Sequence, residues 1–253
     1  PDRPRAADES RQIAATYRVD LSALHLGDFS LVASLDGATY EIEAKGRFSL
    51  LAGMLYRASG RTASKGTLSK EGPQPAKFTV SFDNGEKKER RELRFSGGAV
   101  QEVSIVPRKK RRADRYVPIA EAELRHVLDP LTAAVFHAGR DGPPGALDIC
   151  RQTVPVFDGK QRFDIVLKPK RMETLPDGAP LRGPVAVCQV KYVPIGGHKP
   201  DHKGVKFVAE NEDIEVWLVP VPRTALSIPY RVVMPTAWGT GSVTLTAIDV
   251  EAR

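Results

Sequence analysis

The sequence predicts an all-β protein: a mainly antiparallel sheet of about a dozen strands with one main helix packed on it. Period-two alternation of apolar and polar residues recurs along most of the chain, and turn residues separate the alternating segments. The 253 residues include 20 prolines and 21 glycines, which suit short strands and turns better than helices. We expect the sheet to be strongly curved or partly closed into a β-barrel-like shape, because open edges invite aggregation.

The first twelve residues form a different kind of segment. Residues 1–12 carry almost no large apolar side chain and are predicted to be a flexible tail. Residues 13–253 are predicted to form a single β-rich domain, since β-barrels and sandwiches of this size are often one domain.

Strands are predicted wherever alternation meets a turn signal. In the first half the alternating segments are residues 17–21, 40–44, 78–82, 91–95 and 100–106. Asp36-Gly37 and Asn84-Gly85 are turn signals between them, and Asn-Gly favours a type I′ hairpin turn. In the second half the predicted strands are residues 163–167, 185–193, 214–219, 228–234 and 242–250.

One segment departs from this pattern. Apolar residues recur at helical spacing between residues 121 and 138, and Asp129-Pro130 provides an N-cap followed by a first-turn proline. We therefore predict a helix over residues 130–137 whose apolar face covers the sheet. Residues 50–56 fit either a short helix or a buried strand.

The charge balance favours anionic partners. The formal net charge is +7 and the sequence pI is about 9.4, which does not distinguish nucleic acid, anionic lipid and acidic glycan. A basic run is interpreted either as a contact with an anionic surface or as a solvated loop; it consists of Arg108, Lys109, Lys110, Arg111 and Arg112. No aromatic residue interrupts the run, so nucleic-acid binding is not expected. The longest apolar run is far shorter than the roughly 20 residues that span a bilayer, so no transmembrane segment is predicted.

The two cysteines favour a disulfide. Cys150 and Cys188 lie in two neighbouring strand regions, and a bond between them would close a loop worth roughly 3–4 kcal/mol. Such a bond would imply an oxidising compartment. Inert free thiols, a catalytic cysteine or a metal ligand are the alternatives, although two cysteines alone do not make a structural zinc site.

No motif nominates an active site. His198 and His202 flank Asp201 in a glycine-rich loop, which we interpret as a solvated turn rather than a metal site. The sequence contains no nucleophile elbow, phosphate-binding loop, dinucleotide fingerprint or zinc-protease motif. We therefore predict no catalytic residue, metal or cofactor.

Several motifs together resemble one family. Val127-Leu128-Asp129-Pro130-Leu131-Thr132-Ala133 resembles its "DPL(S/T)A" segment, and Cys150 with Val156-Phe157-Asp158-Gly159 and Arg162-Phe163-Asp164 resembles its "C…VFDG…RYD" signature. Cys188 with Tyr192 and Pro194, then Glu215-Val216-Trp217-Leu218, resemble its later strands. This is the domain of unknown function 3108, a family of uncharacterised proteins of Gram-negative bacteria.

The resemblance implies an exported, envelope-located β-protein, usually made with a signal peptide that this chain lacks. It also implies that Cys150 pairs with Cys188, and it implies no activity. The matched residues are interpreted structurally: Asp129 and Pro130 begin the helix, Asp158 and Gly159 turn a hairpin, and Phe157 and Trp217 are core or pocket aromatics. Arg162 is expected to pair with Asp158 or Asp164, or to meet an anionic head group.

The leading hypothesis is a non-enzymatic periplasmic envelope protein that binds a lipid or other amphiphile in a concave β-sheet and supports envelope integrity or lipid traffic. The apolar residues expected to face that ligand are Leu50, Leu51, Met54, Leu55, Leu131 and Val135. The alternative is a structural adaptor that docks a protein partner or peptidoglycan without a small ligand. A third hypothesis is a hydrolase whose site has no recognised motif.

Overall fold

A computed structural model describes residues 10–50, 56–69, 72–108, 112–135, 147–222, 224 and 226–252. The first seven strands are β1 Arg11–Leu21, β2 Leu24–Asp36, β3 Thr39–Leu50, β4 Tyr56–Ser69, β5 Gly72–Asp83, β6 Lys88–Ser96 and β7 Ala99–Val106. The other six are β8 Gln152–Phe157, β9 Arg162–Thr174, β10 Pro184–Gly196, β11 Glu215–Pro220, β12 Ser227–Thr236 and β13 Gly239–Ala252. The α-helices are α1 Pro130–Val135 and α2 Lys203–Glu210, and short 3-10 helices lie at Ala113–Arg115, Glu121–Leu124 and Leu147–Cys150.

All thirteen strands belong to one partly curled, antiparallel sheet, which confirms the predicted fold class. The order is β7-β6-β5-β4-β3-β2-β1-β13-β12-β11-β10-β9-β8. Each strand neighbours the next one along the chain except β7 and β8, which lie at the two edges of the sheet, and at the centre β1 pairs with β13. The pairing begins with Arg11 opposite Ala252, so β1 starts two residues inside the segment predicted to be a tail.

The predicted turn residues lie in hairpin turns. Asp158 follows β8, and its Oδ1 accepts hydrogen bonds from the backbone N–H groups of Lys160 at 2.8 Å and Gln161 at 2.7 Å. Gly159 has a φ of 90°, which an L side chain rarely adopts. Asn84 also lies in a turn, but it does not have the positive φ of a type I′ turn, because that connection spans the four residues 84–87.

The main core lies on one face of the sheet. Ile42 and Ala44 of β3 are buried in it while Glu41 and Glu43 between them are exposed, as alternation along a strand requires. Asp129 caps α1 as predicted, and the described part of α1 contributes Leu131 and Val135 to the same core. The helix therefore fills the concave side of the sheet.

A second core covers the opposite face of β10, and α2 lies over it. Ala186 and Cys188 are buried there, and Val208 of α2 packs against the cluster. The glycine-rich loop was predicted to be a solvated turn, but its last residues begin α2. His202 instead caps α2, because its Nδ1 accepts a hydrogen bond from the Val205 N–H at 3.2 Å.

A short segment joins the two edges of the sheet. Arg125 forms a bridge with Ala99 of β7, and Leu128 forms a parallel bridge with Val156 of β8. The chain between β7 and β8 thus closes the curled sheet in part, with two isolated contacts in place of a continuous ladder.

Candidate ligand groove on the outer face of the sheet

A row of cations crosses the outer face of the sheet. Lys45 of β3 lies directly opposite Arg61 of β4, and Ser81 of β5 separates Arg61 from Arg90 of β6. Lys45 alternates with the buried Ala44, so it points away from the main core. We call Lys45, Arg61 and Arg90 the cation row.

The cation row lines an open groove of about 1150 Å³ across β1–β7. Hydroxyl groups are interleaved with the cations, and apolar residues complete the lining. The hydroxyl-bearing residues include Ser30, Ser59 and Ser81. Of the apolar residues, Val106 lies opposite Arg90 on the outer face, whereas Phe29 packs against the main core and Phe82 lies opposite the inward-facing Gly60. The groove therefore offers cations, hydrogen-bond donors and an apolar surface together.

A pair of glycines lies on the inward-facing row of strand positions between the outward cations. Gly46 and Gly60 are directly opposite each other on β3 and β4. A Cβ atom at Gly46 would lie 2.8 Å from the Cβ of Phe29, closer than real Cβ atoms approach other atoms. The backbone here is packed too tightly for a side chain at Gly46, and both glycines contribute to the groove lining.

The acidic residues of the groove are engaged by other partners. Asp28 contacts His25 at 3.2 Å, Asp83 pairs with Lys88 at 3.0 Å, and Glu89 pairs with Arg91 at 3.3 Å. Lys160 also pairs with Glu89. Lysine and arginine side chains therefore neutralise Asp83 and Glu89, whereas Asp28 contacts a histidine that is charged only when protonated.

The cations of the row lack such partners. Among the described residues, Lys45, Arg47 and Arg61 form no salt bridge, and Arg90 reaches Glu92 only at 3.8 Å. Like charges directly opposite each other on neighbouring strands are destabilising. The arrangement of Lys45 beside Arg61 thus has an electrostatic cost, which a bound anion would offset.

The predicted ligand-facing residues lie elsewhere. Leu131 and Val135 are buried in the main core, so the space that they were expected to line is filled by core side chains. Leu51, Met54 and Leu55 lie outside the described residues, and Leu50 ends β3 with its side chain also outside them. Contact of Leu50, Leu51, Met54 and Leu55 with a ligand stays a prediction.

The predicted basic run is described only at its two ends. Arg108 and Arg112 are exposed, and Arg112 pairs with Asp114 at 2.8 Å. Lys109, Lys110 and Arg111 lie outside the described residues. Contact with an anionic surface stays a prediction for this run.

The disulfide between Cys150 and Cys188 is present. Their Cα atoms are 5.3 Å apart, and both residues are fully buried in the second core. The bond fastens the 3-10 helix Leu147–Cys150 to β10. It is therefore a structural bond between two elements.

Asp129 is the centre of a buried polar network. Its Oδ1 accepts hydrogen bonds from the backbone N–H groups of Leu131 and Thr132, each at 3.0 Å. Its Oδ2 accepts from the hydroxyls of Thr132 at 2.7 Å and Ser64 at 2.8 Å, and the Tyr40 hydroxyl lies 3.1 Å from that of Thr132. Burial is the largest influence on the carboxyl and raises the pKa of Asp129.

Arg162 is buried and engaged by the protein. Its guanidinium lies 2.5 Å from the Asp164 carboxylate and donates to the carbonyl oxygens of Glu123 at 2.9 Å and Phe163 at 2.7 Å. Asp158, the other predicted partner, pairs instead with Arg91 at 2.9 Å. These contacts support the structural role predicted for Arg162 over a ligand contact.

The two predicted aromatics are packed differently. Phe157 is buried in the main core, whereas Trp217 is partly buried against it. The Trp217 indole N–H donates to Glu215 at 3.1 Å, and the guanidinium of Arg171 lies 5.4 Å from the centre of the indole ring. Trp217 thus belongs to an ionic network, because Arg171 also donates to Glu215 at 2.8 Å.

The geometry supplies no assembled hydrolytic triad around the groove histidine. The Nδ1 of His25 faces Asp20 at 3.3 Å and its Nε2 faces Asp28 at 3.2 Å, so neither nitrogen faces a serine. In the part of the chain that the structure describes, no group of three or more histidine, cysteine, aspartate and glutamate side chains is arranged to hold a metal ion. The helices within the same described ranges are too short or too polar to cross a membrane.

Fold and site together define a curled, β-barrel-like protein with a disulfide-fastened second core and a basic groove. The chain belongs to the DUF3108 family of proteins of unknown function, whose family model matches residues 16–246. A solved structure with the same fold is a β-barrel-like protein of the domain of unknown function DUF1849 from Brucella abortus. The two structures share a TM-score of 0.51 and 9% sequence identity over 96% of this chain and 98% of the other. No curated protein matches the sequence.

Sequence reasoning missed the cation row. Lys45, Arg61 and Arg90 are far apart in the sequence and belong to no motif. The signal that would have found them is the strand register, because hairpin pairing places each residue opposite its neighbour.

Proposed function

We propose that this protein is a non-enzymatic envelope protein of the periplasm that binds an amphiphile with an anionic head group and supports envelope integrity or lipid traffic. The observation that carries the proposal is the juxtaposition of Lys45 and Arg61 in a groove whose acids have other partners. An anionic group between the two cations would gain charge-assisted hydrogen bonds.

The apolar lining is the reason for an amphiphile rather than a small anion. Val106 is 59% exposed and lines the groove directly opposite Arg90 on the neighbouring strand. Covering such side chains with an acyl chain contributes roughly 25 cal/mol per Å² of apolar surface removed from water. The ligand is placed on the outer face, because the core fills the side covered by α1.

Three features support the periplasm as the compartment. The disulfide is of the kind that persists in oxidising environments, of which the bacterial periplasm is one. The family resemblance implies export to the envelope. The net charge of +7 suits a protein that works among anionic lipids.

Titration calorimetry with three probes tests the proposal. Lysophosphatidylglycerol below its micellar concentration carries both the anion and the chain, lysophosphatidylcholine carries the chain without net charge, and inorganic phosphate carries only the anion. We expect binding in the order lysophosphatidylglycerol, lysophosphatidylcholine, phosphate. Phosphate binding as tightly as the anionic lipid would replace the amphiphile with a free anion.

Matched substitutions locate the site. Lys45→Gln with Arg61→Gln should weaken lysophosphatidylglycerol binding by about tenfold or more, because two charge-assisted contacts are lost. Lys65→Gln is the control, since Lys65 is an exposed cation on β4 that does not line the groove. Equal affinities of the double variant and the control, or no binding of any probe, would overturn the proposal.

The second candidate is the structural adaptor. It is favoured by the side chains of Leu131 and Val135, which pack into the main core. Cross-linking in intact envelopes would capture a defined protein or peptidoglycan partner for an adaptor, with no effect of Lys45→Gln and Arg61→Gln on lipid content.

A further inference from the structure

Exposed apolar side chains are concentrated at one end of the sheet. Within the described ranges, eight large hydrophobic residues are exposed, and five of them lie on strands or strand turns at the same end of the sheet. These five are Leu24, Phe82, Val106, Met234 and Trp238. We call this the Trp238 end; it comprises the β1–β2, β5–β6 and β12–β13 turns and the last residues of β7.

Trp238 is the most exposed of the five, with 83% of its surface accessible. It lies in the turn between β12 and β13, and the backbone of that turn is firmly held. The Trp238 N–H donates to the Thr236 hydroxyl at 3.1 Å, and that hydroxyl donates to the Gly239 carbonyl at 2.7 Å. The fold therefore holds the turn in place while its large indole is left in water.

The neighbouring turn adds a second apolar group. The Ser22 N–H donates to the Thr240 carbonyl at 2.7 Å, and the Thr240 N–H donates to the Ser22 hydroxyl at 3.2 Å. These bonds join the β1–β2 turn to the β12–β13 turn. Leu24, 41% exposed, therefore lies beside the Trp238 turn rather than at a separate place on the surface.

The ionic side chains at this end have a positive balance. Lys88 is paired with Asp83, and Asp28 is in contact with His25. Among the described residues, Arg47, Lys87 and Arg108 are exposed and form no salt bridge. Glu86 and Asp28 are exposed acids on the strands and turns of this end, so three unpaired cations outnumber two acids there and favour an anionic partner.

This combination fits the surface of a lipid bilayer. An indole ring is apolar with one N–H donor and concentrates at the boundary between acyl chains and head groups. Unpaired cations near that boundary attract anionic head groups. Several apolar turns at one end of a sheet would enter the boundary together, whereas a water-soluble partner would need a matching cavity for each.

We infer that the protein docks on anionic lipid bilayers through the Trp238 end, with the Trp238 indole inserted at the interface. This goes beyond the binding of a single ligand in the groove. Val106 belongs to both surfaces, so docking would bring the groove lining next to the lipid from which a ligand would be drawn.

Sedimentation with vesicles tests the inference on the full chain. Vesicles contain phosphatidylcholine with about 30% phosphatidylglycerol or phosphatidylcholine alone. We expect binding to the anionic vesicles that weakens with salt, and a loss of about tenfold or more for Trp238→Ser. Met172→Ser is the control, because Met172 is an exposed apolar residue of β9 that the pairing of β9 to β12 places toward the opposite end of the sheet.

Fluorescence reports the position of the indole directly. The chain has two tryptophans, so Trp217→Phe leaves Trp238 as the only one. We expect its emission to shift to the blue with anionic vesicles and to be quenched by brominated lipid. If Trp217→Phe does not fold, the sedimentation experiment decides alone. Equal vesicle binding by Trp238→Ser and Met172→Ser, or no vesicle binding by the natural chain, overturns the inference.

These experiments can overturn the proposal for the groove and the inference for the docking surface independently. Trp238→Ser should retain lysophosphatidylglycerol binding in solution, because Trp238 does not line the groove. Lys45→Gln with Arg61→Gln should lose the soluble ligand and retain vesicle binding that depends on Trp238. If the double variant alone abolishes vesicle binding, the membrane contact belongs to the groove and the inference is wrong.

Discussion

Arg91 on β6 is bound to Asp158 in the β8–β9 turn, although 67 residues separate them in the sequence. The Arg91 guanidinium lies 2.9 Å from the carboxylate and donates to the Asp158 carbonyl at 2.7 Å. A Cβ atom at the adjacent Gly159 would lie 3.2 Å from Leu93, so the turn is in close contact with the inner face of β6. The Asp158-Gly159 turn thus connects β6, near one edge of the curled sheet, with β8 and β9 at the other edge.

We expect Arg91→Leu to lower the free energy of unfolding by about 1–3 kcal/mol, because it leaves a partly buried carboxylate without its partner. Urea denaturation measures the change. Arg94→Leu is the matched control on the same strand, and its side chain is largely exposed, so its effect should stay within about 0.5 kcal/mol. Equal losses for both variants would show that the contact with Asp158 does not stabilise the closed sheet.

The disulfide should make a larger contribution. Reduction of Cys150–Cys188, which are 38 residues apart, should cost about 4 kcal/mol because it restores conformational freedom to a long loop of the unfolded chain. Urea denaturation with and without dithiothreitol measures it, and Cys150→Ser with Cys188→Ser is the genetic counterpart. A denaturation midpoint that reductant leaves unchanged would contradict the prediction.

Asp129 should make stability fall as the pH rises. Burial raises its pKa above the ordinary value of 3.8, so above that value the folded state holds a proton that the unfolded chain has released. The free energy of unfolding then declines from pH 3.8 up to the raised pKa. Asp129→Asn should remove this contribution, because its amide keeps the cap and donates to Ser64 and Thr132.

Urea denaturation near pH 3.8, where the loss begins, and at about pH 8 gives the test of Asp129. We expect Asp129→Asn to gain stability relative to the natural chain at the higher pH, and Asp129→Ala to lose stability at both because the hydroxyls lose their acceptor. A difference between natural and Asn proteins that is the same at both values would rule out the proton on Asp129.

Glu215 should have the opposite dependence on pH. Hydrogen bonds from Arg171 lower the pKa of Glu215 to about 2 from its ordinary 4.5, so its contribution is present above pH 4.5 and disappears as the pH falls toward 2. Glu215→Gln should cost about 1–3 kcal/mol at neutral pH and little at low pH. Acid titration of Trp238→Phe, in which only Trp217 fluoresces, follows the loss of the Glu215 contact.

Repulsion within the cation row should lower the free energy of unfolding of the protein. Lys45→Gln removes the repulsion from Arg61, so it should raise the free energy of unfolding by about 0.2–1 kcal/mol at low salt. The gain should shrink as salt screens the charges. Thermal unfolding at two salt concentrations checks this, and a Lys45→Gln protein that is less stable than the natural one at low salt would refute it.

The sequence was informative where structure is local. Alternation and turn residues predicted the hairpins, and Asp129-Pro130 predicted where α1 begins, because these signals act within a few residues. Helix α2 was missed because Gly204, Val205 and Val208 have low helix propensity. Its stability comes from the His202 cap and from contact with the second core, which only the tertiary structure provides.

The candidate site depends on relationships that a single sequence does not express. Hairpin register places Lys45 beside Arg61, and a shift of one residue would turn either side chain to the core. The Trp238 end likewise gathers turns from distant parts of the chain. The pairing of β1 with β13, which sets the turn of Leu24 beside that of Trp238, has no local signal.

That central pairing also decides when the sheet can be completed. Among the described strands β1 comes first and β13 last, so one side of β1 stays unpaired until β13 is available to join it. β1–β7 can form as a meander of successive hairpins, whereas joining the two halves requires contacts between residues more than two hundred positions apart. Before β13 pairs with it, β1 is an exposed edge strand, and exposed edge strands promote aggregation. We therefore expect chaperones to bind the partly folded protein.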